Sequence, residues 1–223
     1  MKWIISNHKE GIIKKSYQKE ITELLSPKIK LIICPNDNQL SDFKEVNYDL
    51  GSQDVNYFYT VEELKKMSVK YTIVGHSDKR KQYNETNNDI NKKIKELLKI
   101  GICPILCIGE EKEKELNIKK VLDSELEECL RNIETNNIII AYEPIWAIGS
   151  GKIPNINKLI EIIEYIKQKT VKLIGVNPII VYGGSVNKNT IRLLKEVPGL
   201  DGYLIGSASL DTNKLKELIE VIE

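Results

Sequence analysis

Short apolar runs separated by longer amphipathic stretches recur eight times along the 223 residues, and this alternation constrains the fold more than any other feature. The runs read as strands near Trp3–Ser6, Leu31–Cys34, Tyr48–Ser52, Tyr71–Val74, Cys103–Ile108, Ile138–Ala141, Ile179–Tyr182 and Gly202–Ile205. Between them, apolar residues at helical spacing appear at Ile90–Leu98, Val121–Ile133 and Leu159–Ile166, and Asn213–Ile222 carries Leu215, Leu218, Ile219 and Ile222 on one face. Thr60-Val61-Glu62-Glu63 has the spacing of a capping box and marks where the helix after the third strand begins. Strands each followed by a helix argue for a parallel sheet with right-handed crossovers. A doubly wound open sheet competes, but eight consecutive units of this size favour a closed α/β architecture, the (β/α)8 barrel. No linker, low-complexity tract or charge block divides the chain, so residues 1–223 are expected to form one domain.

Composition narrows the function. Acidic and basic residues are interspersed and sum to a formal charge of +1, which gives no reason to expect nucleic acid or a membrane as partner. The N-terminal MKWIISNHKE is too short and too soon polar for a signal peptide, and no run approaches the length of a bilayer span, so a cytoplasmic location is expected. Cys34, Cys103, Cys107 and Cys129 form no CxxC pair, and the first three lie in strand runs, where buried free thiols are the expectation. With only His8 and His76 available, a zinc site would lack ligands.

In a barrel, active residues sit at the C-terminal ends of the strands. The sixth strand ends at a carboxylate, Glu143, followed by Pro144, Trp146, Gly149 and Gly151, a combination suited to a general base beneath a hinged flap. The first strand leads into Asn7-His8-Lys9, where a lysine can hold an anion and an amide can donate to a substrate oxygen. The fourth leads through Gly75 to His76-Ser77-Asp78-Lys79-Arg80, and the fifth into Cys107-Ile108-Gly109-Glu110. Gly183-Gly184-Ser185 and Gly206-Ser207 follow the seventh and eighth strands, where backbone N–H groups can approach a phosphate. Taken singly, each feature has a plainer reading. Glu143 reads as a solvated loop acid, Lys9 as a surface lysine, His76 as a structural histidine, and the glycines as ordinary turns.

Taken together, the strings VGHS at Val74–Ser77, YEPIWAIGSGK at Tyr142–Lys152 and YGGS at Tyr182–Ser185, with Asn7-x-Lys9, resemble the triose-phosphate isomerase family over nearly the whole chain. The resemblance implies a TIM barrel that interconverts dihydroxyacetone phosphate and D-glyceraldehyde 3-phosphate, in glycolysis and gluconeogenesis. By the same resemblance Glu143 is the base, His76 the electrophile, Lys9 the stabilising cation and Asn7 an orienting group, and no cofactor is required. Asn7, Lys9, Gly149, Ser185, Gly206 and Ser207 would contact the phosphorylated triose, Gly149 through its N–H when the flap closes. Cys107 takes no nucleophilic role, and His8 stands where the family usually has a bulky aromatic and is expected to pack.

Four departures accompany the resemblance. Asp78 is one methylene shorter than the usual acid and is expected to reach Lys9 less well, so it is carried as a supporting residue. Lys79 replaces an arginine, and Ser207 a glycine. The loop after the third strand runs from Gln53 through Asn56-Tyr57-Phe58-Tyr59 straight to Thr60, without the family's protruding Thr-Gly-Glu tip. The homodimer usual for the family is therefore expected to be weakened or replaced. A non-catalytic phosphate-ligand binder and a barrel enzyme for another aldehyde or ketone remain the alternatives.

Overall fold

The computed structural model describes residues 1–24, 26–43 and 48–223, with Glu113, Lys114 and Leu116 described by backbone alone. Eight strands run β1 (Lys2–Asn7), β2 (Ile29–Cys34), β3 (Asp49–Ser52), β4 (Tyr71–Val74), β5 (Cys103–Ile108), β6 (Ile139–Tyr142), β7 (Ile179–Tyr182) and β8 (Gly202–Ile205). Each pairs in parallel with the next, and β8 returns to β1 with Tyr203 opposite Ile4, so the sheet closes into a barrel. Closure removes every sheet edge and decides against the open doubly wound alternative.

The period of two along each strand divides the apolar residues into two layers. Ile5, Ile32, Ile73, Ile105, Ile139, Val181 and Leu204 pack with one another inside the barrel. Their neighbours Ile4, Ile33, Val74, Leu106, Ile140, Ile180 and Ile205 belong to a separate cluster shared with the helices. Full burial of each such side chain is worth about 1.5–3 kcal/mol.

The outer layer consists of α1 (Tyr17–Thr22), α2 (Val61–Lys66), α3 (Ser77–Tyr83), α4 (Asn87–Lys99), α5 (Ile118–Cys129), α6 (Ile156–Ile174), α7 (Ile191–Leu194) and α8 (Thr212–Ile222). Their starts are written locally. Thr60 and Glu63 form the expected capping box on α2, Thr86 and Asp89 form another on α4, and Asn155 caps α6 by accepting from the N–H groups of Asn157 and Lys158. The inward stripe of α4 is Ile90, Ile94 and Leu97, all fully buried.

Two expectations shift. The apolar spacing that predicts helix over Val121–Ile133 breaks at Cys129, because Leu130 already caps α5 and Asn132 turns left-handed at φ 55°. Leu130 and Ile133 stay buried, so the periodicity there reports burial in a turn. After β2 the described residues form a 3-10 helix at Asp37–Asp42 in place of the α-helix the alternation predicts. Among the described residues, no helix is long and apolar enough to cross a membrane.

Candidate active site

Glu143 directly follows the last residue of β6, and its backbone N–H donates to Ile108 O of β5 at 2.8 Å, which extends the sheet pairing by one residue. The side chain is thereby aimed into the barrel mouth. Neighbouring glycines make the room. A Cβ on Gly109 would fall 1.9 Å from Glu143 O, and one on Gly183 would lie 2.7 Å from Glu143 Cγ. The carboxyl is 2 % exposed, and its Oε1 has no hydrogen-bond partner. Burial raises its pKa above the ordinary glutamate value, against the opposing pull of His76 and Lys9 and a hydrogen bond with Cys107.

His76 is the N-cap of α3, reached from β4 through Gly75. Its Nδ1 accepts from the Asp78 N–H at 3.2 Å, which leaves the ring proton on Nε2, 3.5 Å from Glu143 Oε1. Arg80 braces the turn by donating from Nε to Gly75 O at 2.7 Å. Cys107 is buried, and burial first, with Glu143 beside it, holds its thiol well above the usual range, as expected of a group that is no nucleophile.

Asn7 ends β1, and its Oδ1 accepts from the Lys9 N–H at 3.2 Å. Lys9 Nζ meets Asp78 Oδ2 at 2.9 Å. The expectation that the shorter acid would reach less well is therefore corrected: the flexible lysine stem makes up the missing methylene. Burial works to raise the Asp78 pKa, but the hydrogen bond from Lys9, with His76 and the Lys9 ammonium beside it, outweighs it and holds the carboxyl below its ordinary value. His8 points away from this group. It is 1 % exposed, its Nε2 lies 3.0 Å from Tyr17 OH, and its ring meets Tyr17 edge-on, which makes it a packing residue.

On the opposite side of the mouth lie the flap and the two glycine loops. Gly149 and Gly151 take positive φ angles of 66° and 75°, and the Gly151 N–H donates to Ser185 Oγ at 3.1 Å, which ties the flap to the loop after β7. The root of the flap is held by Glu110. Its backbone O accepts from Ile145 N–H at 2.9 Å, and its side chain accepts from Trp146 Nε1 and Tyr142 OH at 3.0 and 3.1 Å. A single cavity of about 140 Å³ is lined by Asn7, Lys9, His76, Glu143, Gly149, Ser185, Gly206 and Ser207. Every residue expected from the resemblance to act on or contact the substrate thus borders one space, with Asp78 paired to Lys9 beside it. Such a space brings together a buried carboxylate, a ring N–H donor and a cation, with the residues of two glycine loops along the same wall. Among the described residues, no group of three or more His, Cys, Asp or Glu is placed to hold a metal ion.

Sequence reasoning did not single out the roles of Gly109 and Gly183 in making room for Glu143. Their signal was present in the strings that carry them, CIGE and YGGS, but what a glycine excludes depends on a neighbour far away in sequence.

The triosephosphate isomerase family model matches residues 2–222. A triosephosphate isomerase of Prochlorococcus marinus (strain MIT 9301) is 35% identical, with 92% of this chain and 90% of the relative aligned. One of Mycoplasmopsis pulmonis (strain UAB CTIP) is 34% identical over 87% of this chain and 83% of its own length. One of Mycoplasmoides gallisepticum is 40% identical over 76% and 74%.

Proposed function

The chain belongs to the triosephosphate isomerase family, and from that premise we propose that Glu143, His76, Lys9 and Asn7 carry out the isomerisation. The enzyme interconverts dihydroxyacetone phosphate and D-glyceraldehyde 3-phosphate, a step of glycolysis. Glu143 removes a proton from the carbon beside the carbonyl, His76 donates from Nε2 to the carbonyl oxygen as it becomes an enediolate, and Lys9 stabilises the growing negative charge. Asn7 orients the substrate. Return of the proton to the neighbouring carbon, with the hydroxyl proton passing from the oxygen of the deprotonated carbon to the former carbonyl oxygen, gives the isomer, and no cofactor enters the balance. The phosphate is held by N–H groups of Gly149, Ser185, Gly206 and Ser207, with the flap shutting out water while the proton is away.

One observation supports this reading above the others: the unpartnered Oε1 of Glu143 and the Nε2 of His76 face each other across 3.5 Å inside the cavity that also contains Lys9. The test is turnover on glyceraldehyde 3-phosphate, coupled to detection of dihydroxyacetone phosphate, beside a Glu143→Gln control. Turnover abolished by the substitution is expected; turnover that survives it rejects Glu143 as the base.

The assembly follows a second line. In place of a protruding tip, the loop after β3 turns back on its own chain, Asn56 N–H donating to Tyr59 O at 2.8 Å. Tyr57 stacks on Tyr83 with ring centroids 3.6 Å apart, and Lys93 Nζ stands 4.0 Å from the Tyr57 ring centroid. These contacts favour an enzyme in which the interlocking dimer is weakened or replaced. A cytoplasmic location suits four cysteines that are all free and buried.

A further inference from the structure

Lys9 occupies the left-handed region at φ 51°, a conformation that a non-glycine residue keeps only where its surroundings over-determine it. What over-determines it is specific. Its carbonyl oxygen accepts from two side-chain amides, Asn36 Nδ2 at 3.0 Å and Gln53 Nε2 at 3.0 Å. Both amides are buried, Asn36 at 4 % and Gln53 at 6 % exposure.

Each amide is itself fixed in orientation. Asn36 Oδ1 accepts from the Asn38 N–H at 2.9 Å, as the cap of the 3-10 helix at Asp37–Asp42. Gln53 Nε2 also donates to Pro35 O at 2.8 Å, so both of its hydrogens are committed to backbone carbonyls. Flipping either amide would set an oxygen against the Lys9 carbonyl oxygen, a repulsive contact in a dry site. Asn36 lies two residues past β2, Gln53 directly past β3 and Lys9 two residues past β1. Three strand ends are therefore joined at one atom, the carbonyl oxygen of the residue whose ammonium faces the cavity.

We infer that Asn36 and Gln53 are positioning residues for Lys9, an amide clamp that fixes the root of the lysine so that its Nζ is held at the reacting end of the site. The inference rests on the role proposed above for Lys9. The clamp acts on the backbone of residue 9, and every contact in it comes from the same chain. Loss of one amide frees the left-handed backbone to relax, and a displacement of the ammonium by about 1 Å is enough to cost up to about a hundredfold in rate.

Gln53→Met tests it, being neutral and of similar length, with Asn36→Ala as a second variant should the first fail to fold. Two readouts are needed: kcat for the isomerisation, and affinity for inorganic phosphate measured by calorimetry in wild type, Gln53→Met, Lys9→Ala and the double variant. The expected result is a kcat at least about tenfold lower in a variant that still folds, its melting temperature lowered by only a few degrees for the buried hydrogen bonds lost. Phosphate affinity should fall about threefold in Gln53→Met and no further when Lys9 is already alanine, since a residue that acts through Lys9 then has nothing left to act on. A kcat within twofold of wild type in both folded single variants would overturn the clamp. So would a loss of phosphate affinity of equal size with and without the Lys9 side chain. A wild-type chain without isomerase turnover would reject the proposed reaction, and the phosphate cycle would still decide the clamp.

Discussion

Glu143 Oε1 stands 3.5 Å from His76 Nε2 in a pocket almost closed to solvent, and no hydrogen bond quenches the carboxylate oxygen. That spacing is too long for a strong bond between them and short enough for one small substrate to touch both. Burial raises the Glu143 pKa, so the ionised acid is a stronger base than a solvated glutamate. The two groups are kept apart by fixed backbone on both sides, the β5–β6 pairing under Glu143 and the α3 N-terminus under His76.

The first consequence concerns reach. Glu143→Asp keeps the charge and retracts it by one methylene, away from an atom that must sit in contact with the substrate carbon. Turnover should drop about a hundredfold or more while KM changes within a few fold. Steady-state kinetics in both directions checks this, and an intact kcat would remove Glu143 from the role of base.

The second concerns stability. A buried acid whose folded pKa is raised weakens the fold once it ionises, so its stabilising protonated form is lost as pH rises from the ordinary value near 4.5 through the folded one. Glu143→Gln removes that charge without changing shape. The variant should melt above wild type at pH 7–8, where the carboxylate's desolvation is relieved, with the gain vanishing below the ordinary glutamate value. A lower melting temperature at pH 8 would contradict desolvation of the carboxylate as the source of its raised pKa.

How much of this was legible beforehand depended on range. Strand positions were readable within about two residues because burial on both faces leaves uninterrupted apolar runs, as at Cys103–Ile108. That the candidate residues would gather at one mouth was readable because they stand at strand ends in short, unusual strings. What the sequence hid was long-range. Asn36 and Gln53 sit in unremarkable polar loops, and only closure of the barrel brings both amides to the Lys9 carbonyl. The reach of Asp78 was misjudged because side-chain length was weighed without the flexibility of its partner.

The third prediction weighs the Lys9–Asp78 pair. The pair is partly exposed, with side chains 31% and 57% accessible, so by itself it adds little to stability. Lys9→Ala should therefore leave the melting temperature nearly unchanged, while weakening inorganic phosphate binding and lowering kcat together. Unaltered kinetics would assign Lys9 to the surface.

A fourth prediction follows from the short loop after β3. Two of its three aromatic residues are engaged within the chain, Tyr57 on Tyr83 and Lys93, and Tyr59 OH on Asp37 O at 3.0 Å, while Phe58 stays 55% exposed as a patch too small for a tight interface. Light scattering at micromolar concentration should give the mass of one chain or of a loose, concentration-dependent pair, and specific activity should not rise as the enzyme is concentrated. A tight symmetric dimer under these conditions would refute it.

The last prediction isolates His8, whose neighbours in the chain are both proposed site residues. Burial lowers its pKa from 6.5 to about 4, and its Nδ1 has no hydrogen-bond partner. A histidine depressed in the folded state binds fewer protons there than in the unfolded chain between those two values. Stability attributable to it is therefore complete above about pH 6.5 and is lost as pH falls toward 4, by at most about 3 kcal/mol. His8→Phe removes the titration and keeps an aromatic ring against Tyr17 and Phe43, while Tyr17 OH retains its donation to Ser209 O at 2.6 Å. Chemical unfolding measured from pH 4 to 7 should show a flatter acid limb in the variant, with kcat at pH 7.5 within about twofold of wild type. An acid limb as steep as that of wild type would place the titration elsewhere, and a collapse of kcat would mean that this ring does more than pack.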